Sequence, residues 1–194
     1  MSRTATVKRA TKETDVAVTL ELDGDGEGTA ETGLPFFDHM LQQLGKHAGW
    51  TLSVRCTGDL DVDGHHTVED CGLALGQALK EALGDKRGIR RFASIVVPLD
   101  EAAVEVALDL AGRTFVVHEV PVPAETIGTF DTGLVEDFVR AFAQAAECTV
   151  HVRLKSGRSP HHVCEAEFKA LATALGDACA LTGAGGVPST KGSL

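Results

Sequence analysis

The stretch His65-His66-Thr67-Val68-Glu69 occurs a second time in this chain, as His161-His162-Val163-Cys164-Glu165, 96 residues later. The segment before each stretch is repeated too, since His47–Arg55 corresponds to Ala145–Arg153 at an offset of 98 residues. Self-similarity on this scale indicates a duplicated structural unit. The sequence therefore predicts two related halves.

The hydrophobic pattern has the same order in both halves. Alternating stretches predict strands over Thr4–Arg9, Val16–Leu22, Trp50–Cys56, Ser94–Leu99, Ala103–Leu110, Thr114–Val120 and Thr149–Leu154. Apolar residues at helical spacing predict helices over Pro35–His47, His65–Leu83, Leu134–Ala146 and His161–Ala180. Because such elements must cover each other's apolar faces, we expect an α+β fold in which two mixed β-sheets flank a central helical layer.

The two halves are predicted to be residues 1–90 and residues 91–194 with the C-terminal tail. No Pro/Ser-rich linker separates them, which favours a single, tightly packed duplicated domain. The tail itself, Gly183–Leu194, is rich in Gly and Ser, and this composition is typical of disorder.

Composition and charge exclude several classes of protein. No apolar run approaches the roughly 20 residues of a membrane span, and Met1–Asp15 lacks the apolar core of a secretory signal. A net charge of -10 and the absence of Tyr disfavour nucleic acid as a partner. The five cysteines contain no CxxC, which argues against a disulfide framework or a thiolate zinc site. We therefore expect a cytoplasmic protein that binds neither nucleic acid nor a membrane.

The repeated His-His-x-x-Glu stretches indicate a metal site. Residues i and i+4 of a helix share one face, so His65 can act with Glu69, and His161 with Glu165. Imidazole with carboxylate suits Mn, Fe, Zn or Ni. The adjacent His66 and His162 point roughly 100° away on a helix. The economical solution is two metals, with each helix giving a His-Glu pair to one ion and its second His to the other.

A single copy of the stretch is as well explained by chance or by a satisfied core pair, and the second copy at a corresponding place favours metal binding. The repeat also places His39 opposite Asp137. His47, His118 and His151 have no such support from the repeat, and a structural role is favoured.

An ordered set of motifs resembles the imidazoleglycerol-phosphate dehydratase family along nearly the whole chain. The motifs are Arg9-Ala10-Thr11-Lys12-Glu13-Thr14, Phe37-Asp38-His39-Met40-Leu41, Gly58-Asp59-Leu60, Asp63–Asp70, Gly84–Ile89, Arg91-Phe92, Pro98-Leu99-Asp100-Glu101, Gly112-Arg113, His161-His162-x-x-Glu165-x-x-Phe168-Lys169-Ala170 and Pro188–Gly192.

The resemblance implies a reaction, a metal, a fold and an assembly. The reaction is the dehydration of D-erythro-imidazole glycerol phosphate to imidazole acetol phosphate, a step of L-histidine biosynthesis. The metal is Mn²⁺, and we expect two ions per chain. The fold is a duplicated one that resembles the second domain of ribosomal protein S5. The assembly is a hollow homo-oligomer of twenty-four chains with active sites between subunits.

The resemblance also implies roles for residues that the pattern alone leaves unmarked. Glu13 is the expected acid–base group and contacts substrate. The expected phosphate-binding residues are Arg91, Arg113, Ser189 and Lys191. The expected metal ligands are His39, His65, His66, Glu69, Asp137, His161, His162 and Glu165. The six of them that belong to the His-His-x-x-Glu stretches are also expected to be catalytic.

Asp137 departs from the family, whose members carry His or Glu at this position. Its shorter carboxylate leaves three possibilities open: direct binding, binding through a water, or no contact with the ion. A carboxylate ligand is favoured over an exposed helix residue beside Glu136.

Two other functions also fit parts of the sequence. A dimetal phosphohydrolase would use the same metals and arginines on a small phosphate ester. A non-catalytic metal-binding shell would explain the histidine pairs, but not Glu13, Arg91, Arg113 and Lys191 together.

Overall fold

The computed structural model describes residues 3–122 and 125–194. The elements of the first half are β1 Thr4–Ala10, β2 Thr14–Glu21, β3 Gly28–Glu31, α1 Pro35–Ala48, β4 Thr51–Gly58 and α2 His65–Leu83. Those of the second half are β5 Phe92–Leu99, β6 Ala102–Asp109, β7 Phe115–Glu119, β8 Thr126–Ile127, β9 Phe130–Asp131, α3 Leu134–Ala146, β10 Thr149–Ser156 and α4 Pro160–Cys179. The second half thus repeats the order of the first, with the short hairpin β8–β9 added.

Each half forms one mixed four-stranded sheet. The strand orders are β1-β2-β4-β3 and β5-β6-β10-β7, and the last strand of each is parallel to its neighbour. The registers match as well, since Glu21 pairs with Thr51 in the first sheet and Asp109 with Thr149 in the second. Glu13 and Glu101 therefore occupy the same position, one residue before β2 and β6.

The helices of one half face those of the other. Helix α1 packs on α4, and α2 packs on α3, while α2 also covers β1 and β2, and α4 covers β5 and β6. The core between the sheets contains the fully buried rings of Trp50, Phe37, Phe138, Phe142 and Phe168. The predicted layer order, with helices between two mixed sheets, is confirmed. Within the described ranges, no helix is both long and apolar enough to cross a membrane.

The sequence did not predict three short strands. β3, β8 and β9 have four, two and two residues, which are too few for a clear alternation. Although the composition of Gly183–Leu194 is typical of disorder, the C-terminal segment is tied to the body of the protein. Gly88 N–H donates to the Gly186 carbonyl at 2.9 Å, and Ile89 bridges to Leu181. The division at residues 90 and 91 stays a prediction.

The close approach of α2 to α3 depends on Gly76. A Cβ at this position would lie 2.3 Å from the Phe142 carbonyl oxygen and 2.9 Å from the Ala146 nitrogen. We expect Gly76→Ala to lower the free energy of unfolding by about 1–3 kcal/mol, although Ala favours a helix interior. Urea unfolding measures this. Gly185→Ala is the control, because no described atom lies within 4 Å of its Cβ. An unchanged or higher stability of Gly76→Ala would contradict the prediction.

Candidate active site

The first group of predicted ligands lies where α1 packs on α4. The Ser159 side chain accepts a hydrogen bond from the His162 N–H at 3.4 Å and caps α4, so the histidine pair occupies the first turn. One turn later, Glu165 Oε2 is 3.2 Å from His161 Nε2. His39 on α1 brings its Nε2 to 3.8 Å from the same oxygen. Two imidazoles from different halves thus converge on one carboxylate.

The second group lies where α2 packs on α3. His65 Nδ1 is 3.3 Å from Asp137 Oδ2. Since α2 and α3 are the repeat counterparts of α4 and α1, Asp137 takes the place that His39 has in the first group. Glu69 is the counterpart of Glu165, but it is exposed, and its side chain makes no ion pair or hydrogen bond within residues 3–122 and 125–194.

The second histidine of each pair faces a loop carboxylate instead of either group. His66 Nδ1 is 3.1 Å from Asp59 Oδ2, and His162 Nδ1 is 2.7 Å from Glu101 Oε2. With Nδ1–H donating to the carboxylate, each ring presents the lone pair of Nε2 outward. Histidines that bind metals commonly have such a carboxylate on the other ring nitrogen.

These contacts shift the pKa values of the groups involved. The hydrogen bond with Asp59 raises the pKa of His66, and the hydrogen bond with Glu101 raises the pKa of His162. The same contact, together with the N–H groups of Ser159 and Arg158, lowers the pKa of Glu101 to about 2. Glu101 is therefore a carboxylate at any ordinary pH. A cation that binds Nε2 of either ring has to displace the proton from that nitrogen. The neighbouring carboxylate stabilises the protonated ring, so proton and metal compete for the same atom.

Glu165 differs from its counterpart by having a lysine beside it. Lys169 Nζ is 2.7 Å from Glu165 Oε1. Burial raises the pKa of Glu165, but the hydrogen bond and charge of Lys169 outweigh this effect, so the pKa lies below its usual value. The first group therefore combines its carboxylate with a fixed positive charge.

Glu13 lies beside the outward nitrogen of His66. Its side chain is 54% exposed, and Oε2 is 3.8 Å from His66 Nε2. The backbone on both sides is fixed, because Glu13 N–H donates to Thr11 Oγ1 at 3.1 Å and the Glu13 carbonyl accepts from Asp59 N–H at 3.1 Å. A carboxylate held in this way can give or take a proton close to the histidines.

The four predicted phosphate-binding residues meet around one cavity of about 760 Å³. Arg91, Arg113, Ser189 and Lys191 line it, although the first and the last are far apart in the chain. Arg91 donates from Nε to Asp109 Oδ1 at 2.6 Å and through another nitrogen to the Pro188 carbonyl at 2.8 Å, which holds the tail. The side chains of Arg113 and Lys191 make no ion pair within the described residues, so two unpaired cations line the cavity.

Neither donor group forms a full set of metal ligands among the described residues. Among the residues that the structure describes, no three His, Cys, Asp or Glu side chains are arranged so that they alone could hold a metal ion. The groups are repeat-related, lie on facing helices, and leave His66 and His162 directed elsewhere.

The remaining histidines belong to neither group, although Gln43, the partner of His47, also brings its Nε2 to 3.5 Å from His39 Nε2. His47 Nε2 is 2.8 Å from Gln43 Oε1, and the buried His118 Nε2 is 2.8 Å from Glu167 Oε1. The ring of His151 lies on a sheet face beside that of Phe115, with a centroid distance of 6.5 Å.

The family model for imidazoleglycerol-phosphate dehydratase matches residues 32–175. This chain belongs to that family. The imidazoleglycerol-phosphate dehydratase of Acidothermus cellulolyticus is 56% identical over 192 residues, which cover 99% of this chain and 93% of that protein. The enzyme of Parafrankia sp. is 55% identical over 195 residues and covers 100% of both chains.

Solved structures of the imidazoleglycerol-phosphate dehydratase family share the fold. The enzyme from Staphylococcus aureus subsp. aureus N315 superposes with a TM-score of 0.83 at 34% identity, over 92% of this chain and 99% of that chain. The enzyme from Pyrococcus furiosus gives a TM-score of 0.84 at 34% identity, over 97% and 100%. The interpretation as a hydro-lyase of histidine biosynthesis is confirmed. The matching family is neither a phosphohydrolase family nor a family of non-catalytic metal-binding shells.

Three residues that contact the predicted ligands were not themselves predicted. Asp59 and Glu101 belong to motifs of the family, but each comes close to its histidine only in the folded chain. Lys169 could have been found, because it follows Glu165 by four residues on the same helix face.

Proposed function

We propose that this chain removes water from D-erythro-imidazole glycerol phosphate to give imidazole acetol phosphate, and that it uses two Mn²⁺ ions per chain. The observation that carries the proposal is the repeat-related placement of two His/carboxylate groups on facing helices. His39, His161 and Glu165 form one group, and His65 and Asp137 form the other.

The donor chemistry fits manganese. Imidazole nitrogen and carboxylate oxygen are ligands that suit Mn²⁺, and no thiolate lies in either group. We assign His39, His161 and Glu165 to one ion and His65, Glu69 and Asp137 to the other. His66 and His162 present Nε2 away from both groups, so we assign them to ions held by neighbouring chains. When bound, the two cations supply stabilisation of negative charge on the substrate imidazole.

The chain's own residues would bind the phosphate and move the proton. Arg113 and Lys191 supply fixed cations at the cavity, while Arg91 and Ser189 complete its polar wall. The reaction takes a proton from one carbinol carbon and the hydroxyl from its neighbour, and the resulting enol becomes the ketone. Glu13 is the carboxylate placed to carry that proton.

We further propose that the chain assembles with copies of itself, twenty-four in all, and that the sites form between subunits. The incomplete donor groups support this. So does the outer face of the second sheet, where Phe92, Val96 and Phe115 are 54%, 48% and 62% exposed. The corresponding positions of the first sheet include Thr4 and Lys8. Exposed apolar patches commonly mark contacts between proteins.

The decisive experiment is an assay for the keto product with purified protein, with Mn²⁺ and after chelation. We expect keto product only in the presence of metal, two ions per chain by elemental analysis, and a smaller particle by light scattering after chelation. Release of inorganic phosphate without a keto product would establish a phosphohydrolase instead. Metal binding without any turnover would favour the shell, and a mass that does not change with metal would remove the case for metal-linked assembly.

A further inference from the structure

The duplication provides an internal comparison for the turn that carries Glu13. The β1–β2 turn of the first half and the β5–β6 turn of the second half each place a glutamate one residue before a strand. Glu13 and Glu101 therefore start from the same backbone position. The residues around the two glutamates differ, and the first half has polar contacts that the second half lacks.

In the first half, a buried carboxylate ties the turn to α2. Asp70 is 5% exposed and lies one residue after Glu69. Its Oδ2 accepts a hydrogen bond from the Thr14 hydroxyl, and its Oδ1 accepts from Arg9 Nε at 2.8 Å. Thr14 follows Glu13 directly, so the strand end, the turn and the histidine-bearing helix are joined through one side chain.

The second half builds the same fold without these polar groups. The positions of Arg9, Thr14 and Asp70 correspond to Val97, Ala102 and Ala166, and the last two are buried at 1% and 0% exposure. Two buried alanines thus suffice for the packing of a turn against a helix. A buried carboxylate costs free energy unless it is paired. The network of the first half is therefore not required by the fold.

The two glutamates also differ in what remains of their carboxylates. Glu101 Oε1 accepts from the N–H groups of Arg158 and Ser159 at 3.1 and 2.8 Å, and Oε2 accepts from His162 at 2.7 Å. Within residues 3–122 and 125–194, the Glu13 carboxylate has only the 3.8 Å contact with His66, and its side chain is 54% exposed. The carboxylate of Glu101 is occupied, and that of Glu13 is left available, so its position must be set through the backbone.

We propose that Asp70 is a positioning residue. Through its hydrogen bonds with Thr14 and Arg9, it holds the turn that carries Glu13 against α2 and so orients the Glu13 carboxylate toward the site. This inference rests on the proposed function and on the role of Glu13. A displacement of about 1 Å at a reacting group can cost on the order of 100-fold in rate. Loss of the network should therefore affect turnover far more than folding.

The first test uses Thr14→Val, which removes the hydroxyl and keeps a branched side chain of similar size. We expect kcat to fall by about 10- to 100-fold, with KM and metal content close to wild type, and the melting temperature to fall because the buried Asp70 carboxylate loses one hydrogen bond. Thr14→Ser should restore most of kcat. Thr19→Val is the matched control, because Thr19 lies on the exposed face of the same strand, where its hydroxyl meets Thr6 Oγ1 at 3.3 Å. Wild-type kcat in Thr14→Val would overturn the proposal.

The second test copies the second half into the first. The triple variant Arg9→Val/Thr14→Ala/Asp70→Ala should unfold cooperatively, as the fold of the second half implies, and should lose kcat at least as strongly as Thr14→Val.

A double-mutant cycle then separates positioning from packing. In a Glu13→Gln background, Thr14→Val should lower kcat no further, whereas an undiminished effect in that background would overturn the proposal.

An independent measurement separates this proposal from the proposed function. Amide hydrogen exchange of metal-free protein reports the order of residues 11–14 without any turnover. We expect faster exchange there in Thr14→Val, but not in Thr19→Val. If wild-type protein makes no keto product, the proposed function fails by itself, and the exchange data still decide whether Asp70 holds the turn. Equal exchange in Thr14→Val and wild type would overturn the inference.

Discussion

Glu13→Gln is expected to lower kcat by about 100- to 10,000-fold, the range in which general acid–base groups contribute. Glutamine has the shape of glutamate but cannot carry the proton. The Glu13 backbone is held by Thr11 and Asp59, and these contacts do not involve the carboxylate. The substitution should therefore leave the turn, the metal content and KM close to wild type.

Asp15→Asn is the matched control for this prediction. Asp15 lies two residues from Glu13 in the same hairpin, it is exposed, and its substitution removes the same charge. Steady-state kinetics of both variants with saturating Mn²⁺ decide the matter. A turnover of Glu13→Gln within a few-fold of wild type would exclude the role in proton transfer. An equal loss in both variants would show that the local charge matters rather than the carboxylate of Glu13.

Elements with a strong periodic pattern could be predicted to the residue. The bounds of α2 and α3 agree with the sequence prediction, because both helices have a continuous apolar stripe and polar residues just before their first turn. Strand β3 could not be found in this way. It has four residues, and it exists because it pairs parallel with β4, which is a contact between distant segments.

Candidate ligands could be predicted where they follow one another at a fixed spacing along one helix. The His-His-x-x-Glu stretches identify six donors, and the 3.2 Å contact of His161 with Glu165 shows the expected shared face. The position of His39 and Asp137 followed from the repeat. The carboxylates on Nδ1 of His66 and His162 could not be predicted, since Asp59 and Glu101 reach them from separate loops.

The two donor groups have unequal charge, although they are repeat-related. The first group contains Glu165, whose Oε1 is 2.7 Å from Lys169 Nζ, together with His39. In the second group, Asp137 replaces the histidine. Leu73 stands at the position that corresponds to Lys169, so the second group lacks the counterpart of that lysine. Harder cations such as Mn²⁺ or Mg²⁺ prefer oxygen-rich, negatively charged sites.

Asp137→Ala is accordingly expected to weaken the binding of one of the two ions by at least about 100-fold, since even partners of metal ligands contribute 10- to 100-fold. The separation of Asp137 Oδ2 from His65 Nδ1, 3.3 Å, lies within the range of the donor pairs in the first group, 3.2 and 3.8 Å. Asp137→His should recover the ion, because it recreates the arrangement of His39.

Isothermal titration of metal-free protein with Mn²⁺ measures this directly, without any assay of turnover. Glu81→Ala is the control, since it removes one acidic charge from an exposed position near the far end of α2. If Asp137 contributes only its charge to the surface, Asp137→Ala and Glu81→Ala should give the same isotherm, and Asp137→His should not differ from Asp137→Ala. If Asp137 is a ligand, Asp137→Ala loses one ion, and Asp137→His binds two with a second site that discriminates less against softer metals such as Zn²⁺. Identical isotherms for wild type, Asp137→Ala and Asp137→His would refute the ligand role, because a carboxylate that touches the ion cannot be removed without a change in its affinity.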